Sequence, residues 1–161
     1  RFKEIAFNVP AEQLLHIAAQ RMSSFDTTKV DKQKVDALWK VVNKAKAFPL
    51  TDFFTEEIGN KLYPLELMAA SVLSLALQRY GQNDRSLFTF LDSEDFKGIR
   101  SFIKQDQEGL YDLVEVCDYL VYHYYTIITA QRNPDYRIWK LIQDSTQRAE
   151  GLFDGEELVH A

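Results

Sequence analysis

The sequence predicts an all-α fold, an irregular bundle of about seven to eight helices around one central apolar helix near residues 64–80. Three observations carry this. Apolar residues recur at three- and four-residue spacing through most of the chain. Strand-like alternation is confined to residues 1–9, where Phe2, Ile5, Phe7 and Val9 suggest one short N-terminal strand. Residues 65–77 are apolar around most of the helix circumference, as only a helix surrounded by others is.

Pro10 with Ala11, Glu12 and Gln13 marks the first helix start, with Leu14, Leu15, Ile17, Ala18 and Met22 on its apolar face and an end before Ser23-Ser24. The second spans about 31–47, carries Val35, Leu38, Trp39 and Val42, and is limited by Pro49. A short third is expected over 52–58, closed by Gly59-Asn60. Pro64 opens the central helix and Gly81 stops it. Asn83 or Asp84 caps a helix running through Leu91, with Leu87, Phe88, Phe90 and Leu91 as its stripe. Ser93 starts the next, with Glu94 and Asp95 in its first turn, carrying Phe96, Ile99, Phe102 and Ile103. A long helix over 110–131 follows; its β-branched and aromatic second half has no turn residue to interrupt it. The last is expected over 135–149, after Asn133-Pro134.

The 161 residues fit one helical domain on a prior of roughly 100–200 residues each. Arg1 is not Met and no signal pattern follows it, so the expectation is a fragment of a larger multidomain protein. Nineteen Lys and Arg against 24 Asp and Glu leave a net charge of −5, which argues against nucleic acid and anionic membranes as partners. The nearest approach to a basic run, Lys29, Lys32 and Lys34, is broken by Asp31 and Asp36. The single Cys117 favours a reducing, cytoplasmic home and reads as a small core residue.

No G-x-x-x-x-G-K-[ST], G-x-G-x-x-G, H-E-x-x-H or C-x-x-C occurs. With six glycines there is little material for a phosphate-cradling loop. No metal site is expected: Asp112, Glu115 and Asp118 are spaced to share a helix face with His123 further along, but a solvated acidic stripe is preferred over a carboxylate metal site, which needs a second helix copy. Tyr119, Tyr122, His123, Tyr124 and Tyr125 point in several directions on a helix, which reads as core packing plus a partner-facing rim. His16 and His160 stand alone. The most unusual string runs Gly81-Gln82-Asn83-Asp84-Arg85-Ser86-Leu87-Phe88-Thr89-Phe90-Leu91. It places a cation in the first turn of a helix, costing about 0.3–1 kcal/mol unless an anion compensates. Either this is a tight helix–helix corner with Arg85 paired to an acid, or Arg85 is held toward a phosphate.

That string resembles the G-Q-N-[ED]-R-S-L-F-x-F-L signature of large bacterial P-loop ATPases of AAA+ or STAND-like type, many encoded near phage-defence systems. Its neighbours match in order. Arg1-Phe2-Lys3-Glu4-Ile5-Ala6-Phe7 through Gln13-Leu14-Leu15 looks like the segment after the nucleotide-binding loop. Leu62-Tyr63-Pro64-Leu65, Leu110-Tyr111-Asp112-Leu113 and Ile138-Trp139-Lys140-Leu141-Ile142 look like later helix starts, with Glu66 standing where a His is more usual. The resemblance implies a helical regulatory or lid segment, not catalytic by itself. ATP and Mg would be held by the parent ATPase's nucleotide-binding core, in the same polypeptide or a neighbouring subunit. It makes Arg85 a candidate arginine finger or sensor and Gln82 and Asn83 candidate nucleotide-binding residues; this chain holds no cofactor of its own. The alternative is a helical protein–protein interaction module with no nucleotide role.

Overall fold

The computed structural model describes residues 11–22, 32–46, 56–81, 84–92, 94–105 and 109–153. Among them the chain forms eight helices and no strand: α1 (Ala11–Met22), α2 (Lys32–Ala45), α3 (Glu56–Asn60), α4 (Leu67–Tyr80), α5 (Asp84–Asp92), α6 (Ile99–Lys104), α7 (Leu113–Ile128) and α8 (Tyr136–Phe153). The expected N-terminal strand lies outside the described residues.

α4 is the central helix, and α7, α1, α2 and α5 pack around it. It buries Leu67, Leu73 and Leu77 together with Ala69, Ala70, Ser71, Ser74 and Ala76. Small residues let neighbouring helices approach closely. The two buried serines close their hydroxyls onto their own helix, Ser71 donating to the Leu67 carbonyl at 2.9 Å and Ser74 to that of Ala70 at 2.8 Å.

Several boundaries differ from the sequence expectation. α4 begins at Leu67 rather than Pro64, because the backbone around Leu65 is engaged elsewhere. Tyr111 N–H donates to the Pro64 carbonyl at 2.9 Å and Glu66 N–H to the Tyr111 carbonyl at 3.0 Å. Glu66 then caps the helix, accepting from Ala69 N–H at 3.0 Å. The same pairing delays α7 to Leu113. Gly59-Asn60 forms the end of α3 rather than its terminator. Glu94 and Asp95 precede α6 instead of opening it: Lys97 takes a left-handed φ of 63°, which breaks the helix, and Gly98 becomes the cap. Phe96 is consequently not on a buried stripe but 57% exposed. α8 continues past Ala149 to Phe153, through Gly151.

An aromatic cluster joins α5, α6 and α7. Phe90 meets Tyr119 at 4.9 Å and Tyr111 at 5.5 Å, both edge-on, and Tyr111 meets Phe102 at 5.4 Å. The buried Tyr111 hydroxyl donates to the Lys97 carbonyl at 2.5 Å, tying the turn before α6 to α7.

Asp112 and Glu115 form a capping box on α7, with Asp112 Oδ1 accepting from Val114 N–H at 2.7 Å and Glu115 Oε2 from Asp112 N–H at 3.3 Å. Loss of hydration, and then the neighbouring Asp112 carboxylate, raise the Glu115 carboxyl above its usual range. A carboxyl raised in the folded state favours folding when protonated, and that contribution is lost as pH rises through its folded-state pKa. Glu115→Gln keeps the cap acceptor without the charge. It is expected to stabilise the chain relative to wild type at pH 7 and to lose that advantage below the ordinary carboxylate range, as urea titrations at both pH values would show.

Candidate functional site

Among the described residues of the Gly81–Leu91 string, several build the fold while Arg85 stays exposed. α4 ends at Tyr80, and Gly81 N–H donates back to the Leu77 carbonyl at 3.0 Å. Gly81 has an extended backbone, so its requirement is space rather than a special φ. A Cβ there would stand 2.6 Å from Ser86 Oγ and 2.7 Å from the Leu77 carbonyl oxygen. Ser86, Leu87, Phe90 and Leu91 are buried, while Phe88 is half-buried beneath the Arg21 guanidinium at 5.4 Å. This much is the tight helix–helix corner.

Arg85 is different. It sits in the first turn of α5 and is exposed. Among the described residues its guanidinium has no acidic partner, so the pairing expected of a purely structural arginine is not found there. Its carbonyl accepts from Thr89 Oγ1 at 3.0 Å. Gln82 and Asn83, the two nucleotide-binding candidates, lie outside the described residues.

Just before the string, the end of α4 meets the start of α8 in a polar junction. Arg79 grips Asp135 with two nitrogens, Nη2 at 2.8 Å from Oδ1 and Nε against Oδ2. Tyr80 OH donates to Asp135 Oδ2 at 2.6 Å and accepts from Trp139 Nε1 at 3.0 Å. Partial burial, then the hydrogen bond to Asp135, raise the Tyr80 hydroxyl above the usual phenol range, so it stays a donor. Asn133 closes the turn, its side chain donating to the Ile128 carbonyl at 3.0 Å and accepting from Asp135 N–H at 3.1 Å. Beside the junction opens a cleft of about 600 Å³, lined by Arg79, Tyr80, Ile127, Arg132 and Asn133 among others. Sequence reasoning singled out Trp139 only as part of a resemblance and missed the Arg79–Asp135 pair, whose members stand 56 residues apart. No local pattern announces such a contact.

The other candidates resolve into structural roles. Asp112 and Glu115 cap α7, and Asp118 pairs with Lys97 at 2.8 Å. Among the described residues no group of three or more His, Cys, Asp or Glu is placed to hold a metal ion. Tyr119 is buried and Tyr124 half-buried, whereas Tyr122 and Tyr125 face outward. His123 Nε2 lies 2.9 Å from the Phe96 carbonyl oxygen. Cys117 corrects the expectation of a core residue: it lies on the exposed side of α7. Loss of hydration against the helix, then Asp118 and Asp112, push its thiol above the usual range, which disfavours the nucleophilic thiolate. No helix among the described residues is long and apolar enough to cross a membrane.

Compared with known proteins, the chain matches no family model, no curated protein and no solved structure.

Proposed function

We propose that this chain is a helical regulatory segment of a bacterial P-loop ATPase, acting in the cytoplasm and coupling nucleotide state to a partner domain. The observation that carries the reading is Arg85. In the string that resembles the ATPase signature, Gly81, Ser86, Leu87, Phe90 and Leu91 are spent on the corner and the core, while the Arg85 side chain is left facing solvent. An exposed guanidinium is permanently charged and offers a planar fork of donors matched to phosphate oxygens. The chain's own sequence contains no phosphate loop, so ATP and Mg belong to the nucleotide-binding core, and the role assigned to Arg85 is to present a cation to it. An arginine supplied this way accelerates phosphoryl transfer by about 10³–10⁵-fold in the best-understood cases.

In the full-length protein, Arg85→Ala is expected to slow ATP hydrolysis by about 10³-fold or more, with the melting temperature unchanged. Turnover equal to wild type would remove Arg85 from the mechanism, and a full-length protein without ATPase activity would remove the reading itself. The second reading, a protein-interaction module with no nucleotide role, is favoured by the outward-facing Tyr122 and Tyr125 and by the apolar face of α8.

A further inference from the structure

We propose that the open face of α8 is the surface through which two copies of this chain pair, antiparallel, about a twofold axis at Ser145. This is independent of any nucleotide role.

α8 is attached to the bundle by its first turn, through Tyr80, Asp135 and Trp139. Beyond that, no extensive helix–helix packing joins it to the other described helices. Its 18 residues make a rod of about 27 Å. Along one side run Ile138, Leu141, Ile142, Ser145, Ala149 and Leu152, at the three- and four-residue spacing of a single helix face. The large members are 61%, 67%, 44% and 76% exposed for Ile138, Leu141, Ile142 and Leu152. Scattered apolar residues on a surface need no explanation, but a continuous stripe of this kind marks a contact surface.

The order of residues along the stripe points to a second copy as the occupant. Reversing the helix about Ser145 sets Ile138 opposite Leu152, Leu141 opposite the small Ala149, and Ser145 opposite itself. The small Ser145 and Ala149 let the two backbones approach near the centre, Ile138 and Leu152 meet at the ends, and Ile142 falls opposite the aliphatic stem of Arg148. Asp144 and Arg148 lie on one edge of the stripe. The twofold brings Asp144 of each copy toward Arg148 of the other, giving the contact twice, as an isologous interface requires. Parallel pairing would instead place the Asp144–Arg148 edges of the two copies on opposite sides of the seam, out of each other's reach. The contact of Asp144 with Lys140, 4.0 Å apart and exposed, is too weak to hold it back. A single helix face falls at the small end of specific interfaces, so association in the micromolar range is expected.

The test uses the 161-residue chain. Sedimentation equilibrium from low to high micromolar concentration is expected to show a monomer–dimer equilibrium, weakened about tenfold or more by Leu141→Asp with helicity retained. In a Cys117→Ser background, which removes the exposed native thiol, Ser145→Cys is expected to oxidise to a disulfide-linked dimer. Ile138→Cys is expected not to, because the two copies of that position stand about 21 Å apart, beyond disulfide reach. Should Leu141→Asp fail to fold, the charge pair serves instead: Asp144→Arg and Arg148→Asp each weaken the dimer, and the double variant restores it. A chain that stays monomeric throughout, with Ser145→Cys uncrosslinked, overturns the proposal and leaves the face to a different protein. Crosslinking at position 138 as efficient as at 145 overturns the antiparallel geometry.

Discussion

Phe90→Ala is expected to cost about 3–5 kcal/mol, the largest loss from any single truncation considered for this chain. Phe90 is fully buried, and its ring is the shared neighbour of Tyr111 and Tyr119, at 5.5 and 4.9 Å. Removing it takes away the burial of a full aromatic side chain and both edge-on ring contacts. The cavity cannot collapse easily, because its walls are held from outside: Tyr111 is tied by its hydroxyl to the Lys97 carbonyl, and its backbone is paired with Pro64 and Glu66. Domains of this size are commonly stable by only about 5–15 kcal/mol, so the variant is expected to be marginal at 37 °C. Urea unfolding followed by circular dichroism measures the loss. A change below about 1 kcal/mol would mean that the cluster repacks and is not the rigid joint between α5, α6 and α7.

Gly81→Ala is the second large effect, expected at about 1–3 kcal/mol, the usual range for forcing atoms into a filled site. The added Cβ meets Ser86 Oγ at 2.6 Å, the Leu77 carbonyl at 2.7 Å and Ser86 Cβ at 2.9 Å. Two of these three belong to backbone or to a Cβ and cannot rotate away. Trimming Ser86 to Ala in the double variant therefore relieves only part of the loss. Arg85→Ala, four residues on, is an exposed surface change and is expected to stay within about 0.5 kcal/mol of wild type. Thermal melts of the two variants side by side separate the part of the string that builds the corner from the part that is free for another task. If Arg85→Ala were as destabilising as Gly81→Ala, the arginine would belong to the fold and the proposed role at a phosphate would lose its support.

Helix identity was legible because burial in a helical bundle writes itself along the chain at a spacing of three and four. Leu14, Leu15, Ala18 and Met22 of α1, and Trp39 and Val42 of α2, are buried as their spacing predicts. α4 is central because its apolar residues surround it, and the aromatic second half of α7 is helical despite its strand-like composition. The misreadings are alike in kind. Pro64 as a helix opener, Glu94-Asp95 as a first turn, Gly59-Asn60 as a stop and Cys117 as core are all local inferences. Pro64 is overridden by a partner far away in sequence, Cys117 by the direction a helix face takes once packed, and Glu94-Asp95 by the left-handed turn at Lys97. Tyr111 recruits the backbone at Pro64 and Glu66, and Cys117 faces out because α4 occupies the other side of α7.

The candidate site shows the same division. Periodicity and terminal residues determined by themselves that this is an all-α chain with its most apolar helix at the centre, and that Gly81 ends that helix. Those features depend on residues a few positions apart, which the chain's own geometry brings together. Tertiary structure alone decided that Gly81 is needed for Ser86's approach, that Arg79 and Tyr80 close on Asp135 and Trp139, that Arg85 faces solvent, and that the apolar stripe of α8 is open. Whether a side chain points into the core or away from it depends on which neighbour covers that face, and a one-dimensional pattern does not say which neighbour that is.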